Sequence, residues 1–357
     1  MRRTGIANLP LHYGKAPEYL FNLMRKLARE ICITIFENYG KEVFFERISH
    51  PVWFQSVGCV LGFDWHSSGL TTTTLYALKE ALNEISDEYE IFIAGGKGKD
   101  GLKTPEEIKD YSERKGISSE KLIYASRITA KVDNIAVQDG YQIYQHFLLF
   151  DVKNNLWAVI QQGMNSENRM ARRYHWLSKE VKSFVLNPHK GICGRKENFV
   201  INLVSDENQE CQKNCVLLLK EKKEILSTMK KIPSLSLPYH HQIFWENVNK
   251  KHLENVFLKI SSQKINDFES LLGIKGVGVK TVRALALLSE IICGNEISFT
   301  DPVRYSFAHG GKDGHPYPVD RETYKNSINL LIEIVKKSRI SPNLKDKKLK
   351  RLSSFLS

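Results

Sequence analysis

The sequence lacks the long hydrophobic stretches of membrane and secreted proteins. No apolar run approaches the roughly 18 residues that a membrane span needs, and no leader-type hydrophobic region is present. We therefore expect no membrane partner and no secretion. Internal repeats and long low-complexity tracts are also missing. Their absence excludes repeat arrays, collagen-like chains and wholly disordered chains.

Cysteine is sparse, with six residues in 357 and no C-x-x-C pair. This usage predicts a reduced, cytoplasmic protein with buried thiols rather than a disulfide scaffold. Cys211 and Cys215 lie four residues apart, but with His189 and His240 they form only an incomplete zinc pattern. Buried thiols are the favoured interpretation.

Two common enzyme signatures are missing as well. The run GGKGK at 95–99 resembles a phosphate loop, yet it has neither the Walker spacing nor the Gly-Lys-Ser/Thr ending. Hydrolysis of nucleoside triphosphates is therefore disfavoured. A strand followed by a carboxylate and Glu-x-Lys, as in many nucleases, is also absent.

Positive charge is abundant. The chain has 52 Lys and Arg residues against 40 Asp and Glu residues, which gives a formal net charge of +12. A basic balance of this size favours a polyanionic partner, and nucleic acid is the first candidate. The length favours one large and one small compact unit.

The first 186 residues predict an α/β domain with a mixed sheet. Strand, polar turn, helix and strand alternate in this part of the chain. The periodicity predicts helices at 15–46, 75–85, 105–115 and 117–130, strands at 57–63 and 90–94, and a hairpin of 141–150 with 156–160. We expect this domain to be catalytic.

The rest of the chain predicts three further parts. Residues 187–240 have a pattern rich in Pro, Cys, Asn and Lys, which indicates a linker or an extended arm. Residues 241–338 are strongly helical in pattern and predict an all-α DNA-binding domain. Residues 339–357 form a basic tail.

The strongest motif is LLGIKGVGVKTVRAL at 271–285, which matches the helix-hairpin-helix pattern. Glycines let the backbone turn tightly and approach a phosphate, while free N–H groups at the start of the next helix face the anion. Ile274 and Val277 would anchor the turn in the core. The residues expected to bind DNA in the motif are Lys275, Gly276, Val277, Gly278, Lys280 and Thr281. Such binding is independent of base sequence and sensitive to salt.

Other polar clusters contribute the remaining DNA-binding and catalytic candidates. Lys97 and Lys99 lie in the glycine-rich run, and His309 and Lys312 lie in a polar loop after the motif. We expect all four to contact DNA. Asp64 and His66 lie two apart on an extended segment, so their side chains would point the same way and could share a metal or a proton relay.

The richest cluster predicts a phosphodiesterase centre that uses Mg²⁺ or Mn²⁺. Carboxylates would hold the metal, arginines would clamp a phosphate, and histidine would move a proton. Asp133, Asp139 and Asp151 are the candidate metal ligands. The other catalytic candidates in this cluster are His146, Gln161, Gln162, Arg172, Arg173 and His175. A metal-dependent nuclease acting in DNA repair or recombination is the favoured function.

Two alternatives remain open at this point. The motif followed by an aspartate resembles the helix-hairpin-helix base-excision glycosylases, in which a Lys forms a Schiff base and an Asp is catalytic. Lys280 stands at the Lys position, and either Asp301 or Asp320 could be the Asp. The second alternative is a DNA-binding repair accessory protein without catalysis. RNA as the nucleic acid and a homo-oligomeric state are also open.

Seven phrases in order resemble one family along nearly the whole chain. They are LHYGKAP at 11–17, FDWHSSG at 63–69, VDN at 132–134, VQDGY at 137–141, QQGM at 161–164, ARRYHW at 171–176 and FAHGGKDG at 307–314. The family is the one catalogued as domain of unknown function 763, found in archaea and thermophilic bacteria. The resemblance implies an intracellular prokaryotic protein and brings no reaction with it.

Overall fold

The computed structural model of the chain describes residues 9–11, 16–62, 67–219, 265–303, 321–338 and 341–353. The predicted site residues Asp64, His66, His309 and Lys312 lie outside these ranges, and so does Asp320.

Five helices open the described chain. They are α1 (Glu18–Tyr39), α2 (Lys41–Ile48), α3 (Pro51–Leu61), α4 (Ser68–Glu84) and the short α5 (Ser86–Tyr89). The single helix predicted at 15–46 is divided at Gly40, whose φ of 86° no helix interior accommodates. The strand predicted at 57–63 is wrong, because residues 57–61 belong to α3. Nearly all of α3 is buried, so its continuous apolar run has no helical stripe that would distinguish it from a buried strand.

A five-stranded sheet follows. Its strands are β1 (Ile91–Lys97), β3 (Gln142–Asp151), β4 (Leu156–Asn165), β5 (Met170–Leu177) and β6 (Gly191–Cys193), paired in the order β1-β3-β4-β5-β6. The predicted hairpin of β3 with β4 is confirmed, with longer strands. We expected a mixed sheet, but all four pairings are antiparallel. The separate strands β2 (Val137–Gln138) and β7 (Ile201–Asn202) form an antiparallel pair.

Helices cover both faces of the sheet, as expected for a combination of helices and strands. One face packs Ile93, Leu149 and Ala158 against α1, α3 and α4 in a single apolar cluster. The other face packs Leu148 and Val159 into a second cluster. That cluster receives α7 (Thr104–Lys115) and α8 (Glu120–Lys131) on its side of the sheet, and α8 continues into a π-helical turn (Val132–Ala136). The short α6 (Lys99–Leu102) contacts β1 and β3 and has no buried residue.

The segment expected to be a linker is packed where the structure describes it. Besides β6 and β7, it contains α9 (Gln209–Leu218), with 3₁₀ turns at Ser178–Glu180 and Asp206–Asn208 nearby. Cys211, Cys215 and Leu218 are buried in the second apolar cluster. A linker is therefore the wrong description of residues 187–219. Their apolar residues recur at helical spacing, but polar residues between them hide the pattern.

Four helices complete the described chain: α10 (Phe268–Gly273), α11 (Val279–Cys293), α12 (Arg321–Lys337) and α13 (Pro342–Ser353). Leu271, Val282 and Leu285 of α10 and α11 belong to the same apolar cluster as Leu148 of the sheet. The predicted basic tail forms α13, whose Lys348 is buried beside α3. Within the described part of the chain, no helix is both long and apolar enough to cross a membrane.

Candidate functional site

The sheet divides the predicted catalytic centre between its two faces. Gln161 and Gln162 are neighbours in β4, and Arg172 and Arg173 are neighbours in β5. Successive side chains of a strand point to opposite faces. Gln161 accordingly reaches the carbonyl of Thr129 in α8, whereas the other face holds Gln162 and Arg173. The residues predicted to act together form three buried hydrogen-bonded groups.

The first group, the Asp133 network, is centred on the π-helical turn after α8. The Oδ1 atom of Asp133 lies 2.5 Å from Nε2 of His189, and Oδ2 lies 2.9 Å from Nε1 of Trp176. Gln161 donates a further hydrogen bond to Oδ2. Three N–H groups therefore converge on one carboxylate with no exposed surface. Sequence reasoning did not include His189 in this centre, because it lies in the segment that resembled a linker.

His146 extends the Asp133 network. Its Nδ1 lies 2.8 Å from Oε1 of Gln161, and its Nε2 lies 2.9 Å from Oγ of Ser126. An amide oxygen only accepts, so His146 carries its proton on Nδ1 and accepts from the Ser126 hydroxyl at Nε2. Burial lowers the pKa of His146, which keeps the imidazole neutral. The hydrogen bonds thus run in one direction, from Ser126 to Asp133.

The second group, the Arg172 network, joins β5 to the segment after α11. The Nη1 atom of Arg172 lies 2.8 Å from Oδ2 of Asp139, and Nη2 lies 2.7 Å from Oδ2 of Asp301. The Tyr174 hydroxyl donates to the same Asp139 oxygen at 2.7 Å. Burial alone would lower the pKa of Arg172, but Asp139, Tyr174 and Asp301 raise it above its ordinary value. Arg172 is therefore charged, and its two carboxylate partners are occupied by it.

The third group, the Arg173 network, holds α3 and α4 against the sheet. Arg173 donates from Nη1 to Thr71 at 3.0 Å, from Nη2 to Gln55 at 3.1 Å and from Nε to Nε2 of His175 at 2.8 Å. Burial lowers the pKa of Arg173 to about 10, and burial followed by the charge of Arg173 lowers the pKa of His175 well below its ordinary value. His175 is therefore a neutral acceptor inside the protein.

The predicted metal ligands do not form one set. Asp151 accepts hydrogen bonds from the backbone of Lys153 and Asn154 and lies at the turn between β3 and β4. Asp133 and Asp139 are occupied by the donors described above. Among the described residues, which include all three aspartates, no group of three or more His, Cys, Asp or Glu side chains could hold a metal ion. The trio therefore does not fit a Mg²⁺ or Mn²⁺ ion.

The glycine turn, residues 274–280, comprises the link between α10 and α11 and the first two residues of α11. Asp267 and Ser270 form a capping box at the start of α10, and Ile274 and Val277 are buried in the apolar cluster. Gly276 has a φ of 104°, which only glycine adopts without strain. A Cβ atom added at Gly276 or at Gly278 would meet no heavy atom within 4 Å, so the backbone of the turn is open.

The predicted DNA-binding residues of the turn differ in accessibility. Lys275, Gly276 and Lys280 are exposed, and Gly278 is half-buried. Thr281 is 1% exposed, so its hydroxyl does not face solvent as we expected. Gly278 is the N-cap of α11, and no side chain caps that helix. The first N–H groups of α11 therefore have no side-chain partner at the helix start.

The Lys97 pocket lies where β1 ends beside α1 and α4. It is a cavity of about 480 Å³ lined by Glu18, Phe21, Thr72, Thr73, Tyr76 and Lys97. Most of the predicted glycine-rich loop is a strand. Gly95 and Gly96 belong to β1 and pair with β3, and the chain turns only at Gly98. Lys97 and Lys99 are both exposed. The sequence analysis did not predict this pocket, although Thr72 and Thr73 belong to a run of four threonines at 71–74.

Comparisons with known proteins give one positive result. The search of curated proteins and the search of solved structures found no match. The family described as "Protein of unknown function (DUF763)" matches residues 5–319 of the chain. This range includes the three buried networks, the glycine turn and the Lys97 pocket. The chain therefore belongs to the DUF763 family, as its seven phrases indicated.

Proposed function

We propose that the protein binds DNA through the backbone phosphates at the glycine turn and acts as a DNA-processing enzyme. The observation that carries the proposal is the open backbone between α10 and α11. Gly276 has a positive φ, and side-chain space is free at Gly276 and Gly278. A phosphate can therefore approach the main chain closely at this turn. In this proposal residues 268–293 are a helix-hairpin-helix motif.

Charge and helix geometry support the same assignment. Lys275 and Lys280 are exposed on either side of the two glycines. The uncapped start of α11 adds backbone donors and the positive end of a helix of 15 residues. These groups recognise an anion without contacting base edges. We expect binding that is independent of base sequence.

Hydrogen bonds from α8 and β2 also hold the turn in place. Lys131 Nζ donates to the carbonyl of Ile274 at 3.0 Å, and Gln138 Nε2 donates to the carbonyl of Val279 at 3.1 Å. Arg283 Nε donates to Oε1 of Gln138 at 2.7 Å. A preformed turn loses little conformational entropy when it binds a phosphate.

Salt-dependent binding tests the proposal. Fluorescence anisotropy with labelled duplex, single-stranded and branched DNA is measured for the parent and for Lys275→Gln/Lys280→Gln. We expect the double variant to bind all DNA forms more weakly. Its slope of log K against log salt should be smaller by about 0.9 for each phosphate that the variant no longer neutralises. RNA duplex and single-stranded RNA serve as the competing partners.

The matched control is Lys109→Gln/Lys153→Gln, which removes the same charge from α7 and from the turn between β3 and β4. Both lysines are exposed. If the control weakens binding as much as the double variant of the turn, net charge rather than the turn governs binding. Tighter binding of RNA than of every DNA form would contradict DNA as the partner.

We propose phosphodiester cleavage as the reaction on the bound DNA. The Lys97 pocket supports it, because a cation and hydroxyl groups line a cavity large enough for a nucleotide. The test incubates each DNA form with and without added Mg²⁺ or Mn²⁺ and resolves the products by gel electrophoresis. Cleavage that requires the metal supports a nuclease. Intact DNA in every lane, together with salt-dependent binding, supports an accessory protein without catalysis.

Base excision is the alternative reaction. Lys280 is exposed on the first turn of α11, as a Schiff-base amine would need to be. Asp301, by contrast, is held by Arg172 and by the backbone N–H groups of Glu197 and Val303. Borohydride trapping on abasic and damaged duplexes separates the two reactions, because only a Schiff base leaves a reducible imine.

A further inference from the structure

We propose that the Lys97 pocket binds one nucleotide, with its phosphate at Lys97 and its base against the aromatic lining of Phe21 and Tyr76. The pocket is separate from the glycine turn, since it is formed by α1, α4 and β1. The inference rests on the proposed function only in taking nucleic acid as the source of the nucleotide.

The positive end of the pocket is Lys97. Among the described residues, no carboxylate oxygen lies within 4 Å of its Nζ atom. The ammonium group lies 5.5 Å from the ring centroid of Tyr144, which holds it at the end of β1. An exposed ammonium that has no carboxylate partner in the described part of the chain, placed at the edge of a cavity, suits a phosphate group.

A buried donor without a partner lies next to this cation. Gln145 is the cross-strand neighbour of Lys97 and is 1% exposed. Its Oε1 accepts from the hydroxyl of Thr72 at 2.6 Å, which directs the amide toward the wall of the pocket. Its Nε2 has no hydrogen-bond partner among the described residues. A buried amide donor without a partner is unfavourable, and an anionic acceptor bound beside the Thr72 wall would satisfy it.

The remaining walls suit the other parts of a nucleotide. Phe21 and Tyr76 are half-buried residues of the pocket lining, so their rings offer apolar surface to a base. The Tyr76 ring makes an edge contact with the Phe147 ring, with 5.2 Å between the ring centroids. Its hydroxyl accepts a hydrogen bond from the backbone N–H of Lys97 at 3.0 Å. Glu18 offers a carboxylate to a sugar hydroxyl or an exocyclic amine. A simple anion would gain nothing from Glu18 or from the rings, so the lining favours a nucleotide over free phosphate.

Isothermal titration calorimetry of the full chain tests the proposal with dAMP, AMP, adenosine and inorganic phosphate. We expect dAMP or AMP to bind more tightly than either adenosine or phosphate alone. Lys97→Gln should weaken nucleotide binding at least tenfold. Gln145→Glu keeps the acceptor for Thr72 and replaces the free donor by a negative charge, so it should abolish nucleotide binding.

The controls separate this pocket from the glycine turn. Lys26→Gln removes one exposed charge from α1 and should leave nucleotide binding unchanged. Lys275→Gln/Lys280→Gln should keep nucleotide binding and weaken DNA binding. Oligonucleotides with and without a 5′-phosphate distinguish a free nucleotide from a chain end as the natural source.

The inference is overturned if the parent binds no mononucleotide, or if Lys97→Gln binds it as tightly as the parent does. Because Lys97 is exposed, this variant should fold normally even where Gln145→Glu does not. Binding of DNA without binding of any nucleotide would contradict the pocket, and with it the support for cleavage there, and would leave DNA binding at the glycine turn intact. Binding of nucleotides without binding of DNA would contradict the proposed function and support the pocket.

Discussion

Arg172 and Asp301 form a buried ion pair with Nη2 2.7 Å from Oδ2, although 129 residues separate them in the chain. Neither side chain has exposed surface. The pair fixes the segment after α11 to strand β5 on the face that carries the Arg172 network. Asp301, which sequence reasoning considered as a catalytic acid, therefore has a structural partner for its charge.

Replacement of Arg172 by Ala should destabilise the protein strongly. It leaves the carboxylates of Asp139 and Asp301 buried without their cation. Loss of one partner of a buried ion pair typically costs about 3–5 kcal/mol in the free energy of unfolding. Urea denaturation followed by tryptophan fluorescence measures the change. Lys109→Ala, which breaks an exposed pair with Glu113, should cost less than about 1 kcal/mol. Equal midpoints for Arg172→Ala and the parent would refute a stabilising role for the pair.

Stability should fall as the pH is lowered below about 6.5. Burial lowers the pKa of His146 and of His175 in the folded state. The unfolded chain takes up protons on both imidazoles near their ordinary pKa of about 6.5, while the folded chain does not. Each histidine then lowers the free energy of unfolding by up to about 1.4 kcal/mol per pH unit, until its folded pKa is reached.

Urea denaturation between about pH 7.5 and 5 measures this slope. His175→Gln keeps an acceptor for Arg173 and removes one titrating group, so it should lower the slope by about 1.4 kcal/mol per pH unit. If the free energy of unfolding of His175→Gln depends on pH as steeply as that of the parent, His175 has the same pKa in the folded and the unfolded chain.

Gly276→Ala should weaken DNA binding and lower stability modestly. The φ of 104° is strained for alanine, at a cost of about 1–3 kcal/mol, although the added Cβ meets no other atom. Relief of that strain would move the backbone that we assign to the phosphate. Gly273→Ala is the control, because Gly273 ends α10 without a positive φ and also has free space. Anisotropy titrations should give parental affinity for the control, and equal affinity for both variants would contradict the assignment.

Asp133→Asn should lower stability and so separate a structural role from a catalytic one. The carboxylate accepts from His189, Gln161 and Trp176. The amide nitrogen of asparagine would face one of these donors, at a cost of about 1–3 kcal/mol. Asp110→Asn changes an exposed aspartate of α7 and is the control. Thermal unfolding measures both variants, and DNA cleavage is assayed below their transitions. An unchanged Tm with lost cleavage would restore Asp133 to the catalytic centre.

Sequence periodicity predicted the helices α7 and α8, because each has one apolar face. It predicted strand β1 and the β3–β4 hairpin from short apolar runs with clear polar boundaries. It failed at α3, where almost every residue is buried, so no helical stripe is visible. It also failed at α9, where buried Cys211 and Cys215 are separated by polar residues. In α3 tertiary packing decides the structure and local pattern does not, whereas in α9 the helical spacing of the buried residues was present and was overlooked.

The candidate centre was predicted in its residue types but not in its grouping. Gln161 and Gln162 are adjacent, as are Arg172 and Arg173, and adjacent residues in a strand cannot share a face. That rule alone would have divided the set once the strands were assigned. The partners His189 and Asp301 could not be predicted, because they come from segments distant in the chain that only the fold brings together.

The two hydrogen bonds that hold the glycine turn also set the direction of its peptide dipoles. Lys131 of α8 and Gln138 of β2 donate hydrogen bonds to the carbonyl oxygens of Ile274 and Val279, so these oxygens point toward α8 and β2. In a planar trans peptide the N–H points opposite to the C=O. The amide hydrogens of Lys275 and Lys280 are therefore turned outward, on the same residues whose side chains carry positive charge, before any ligand arrives.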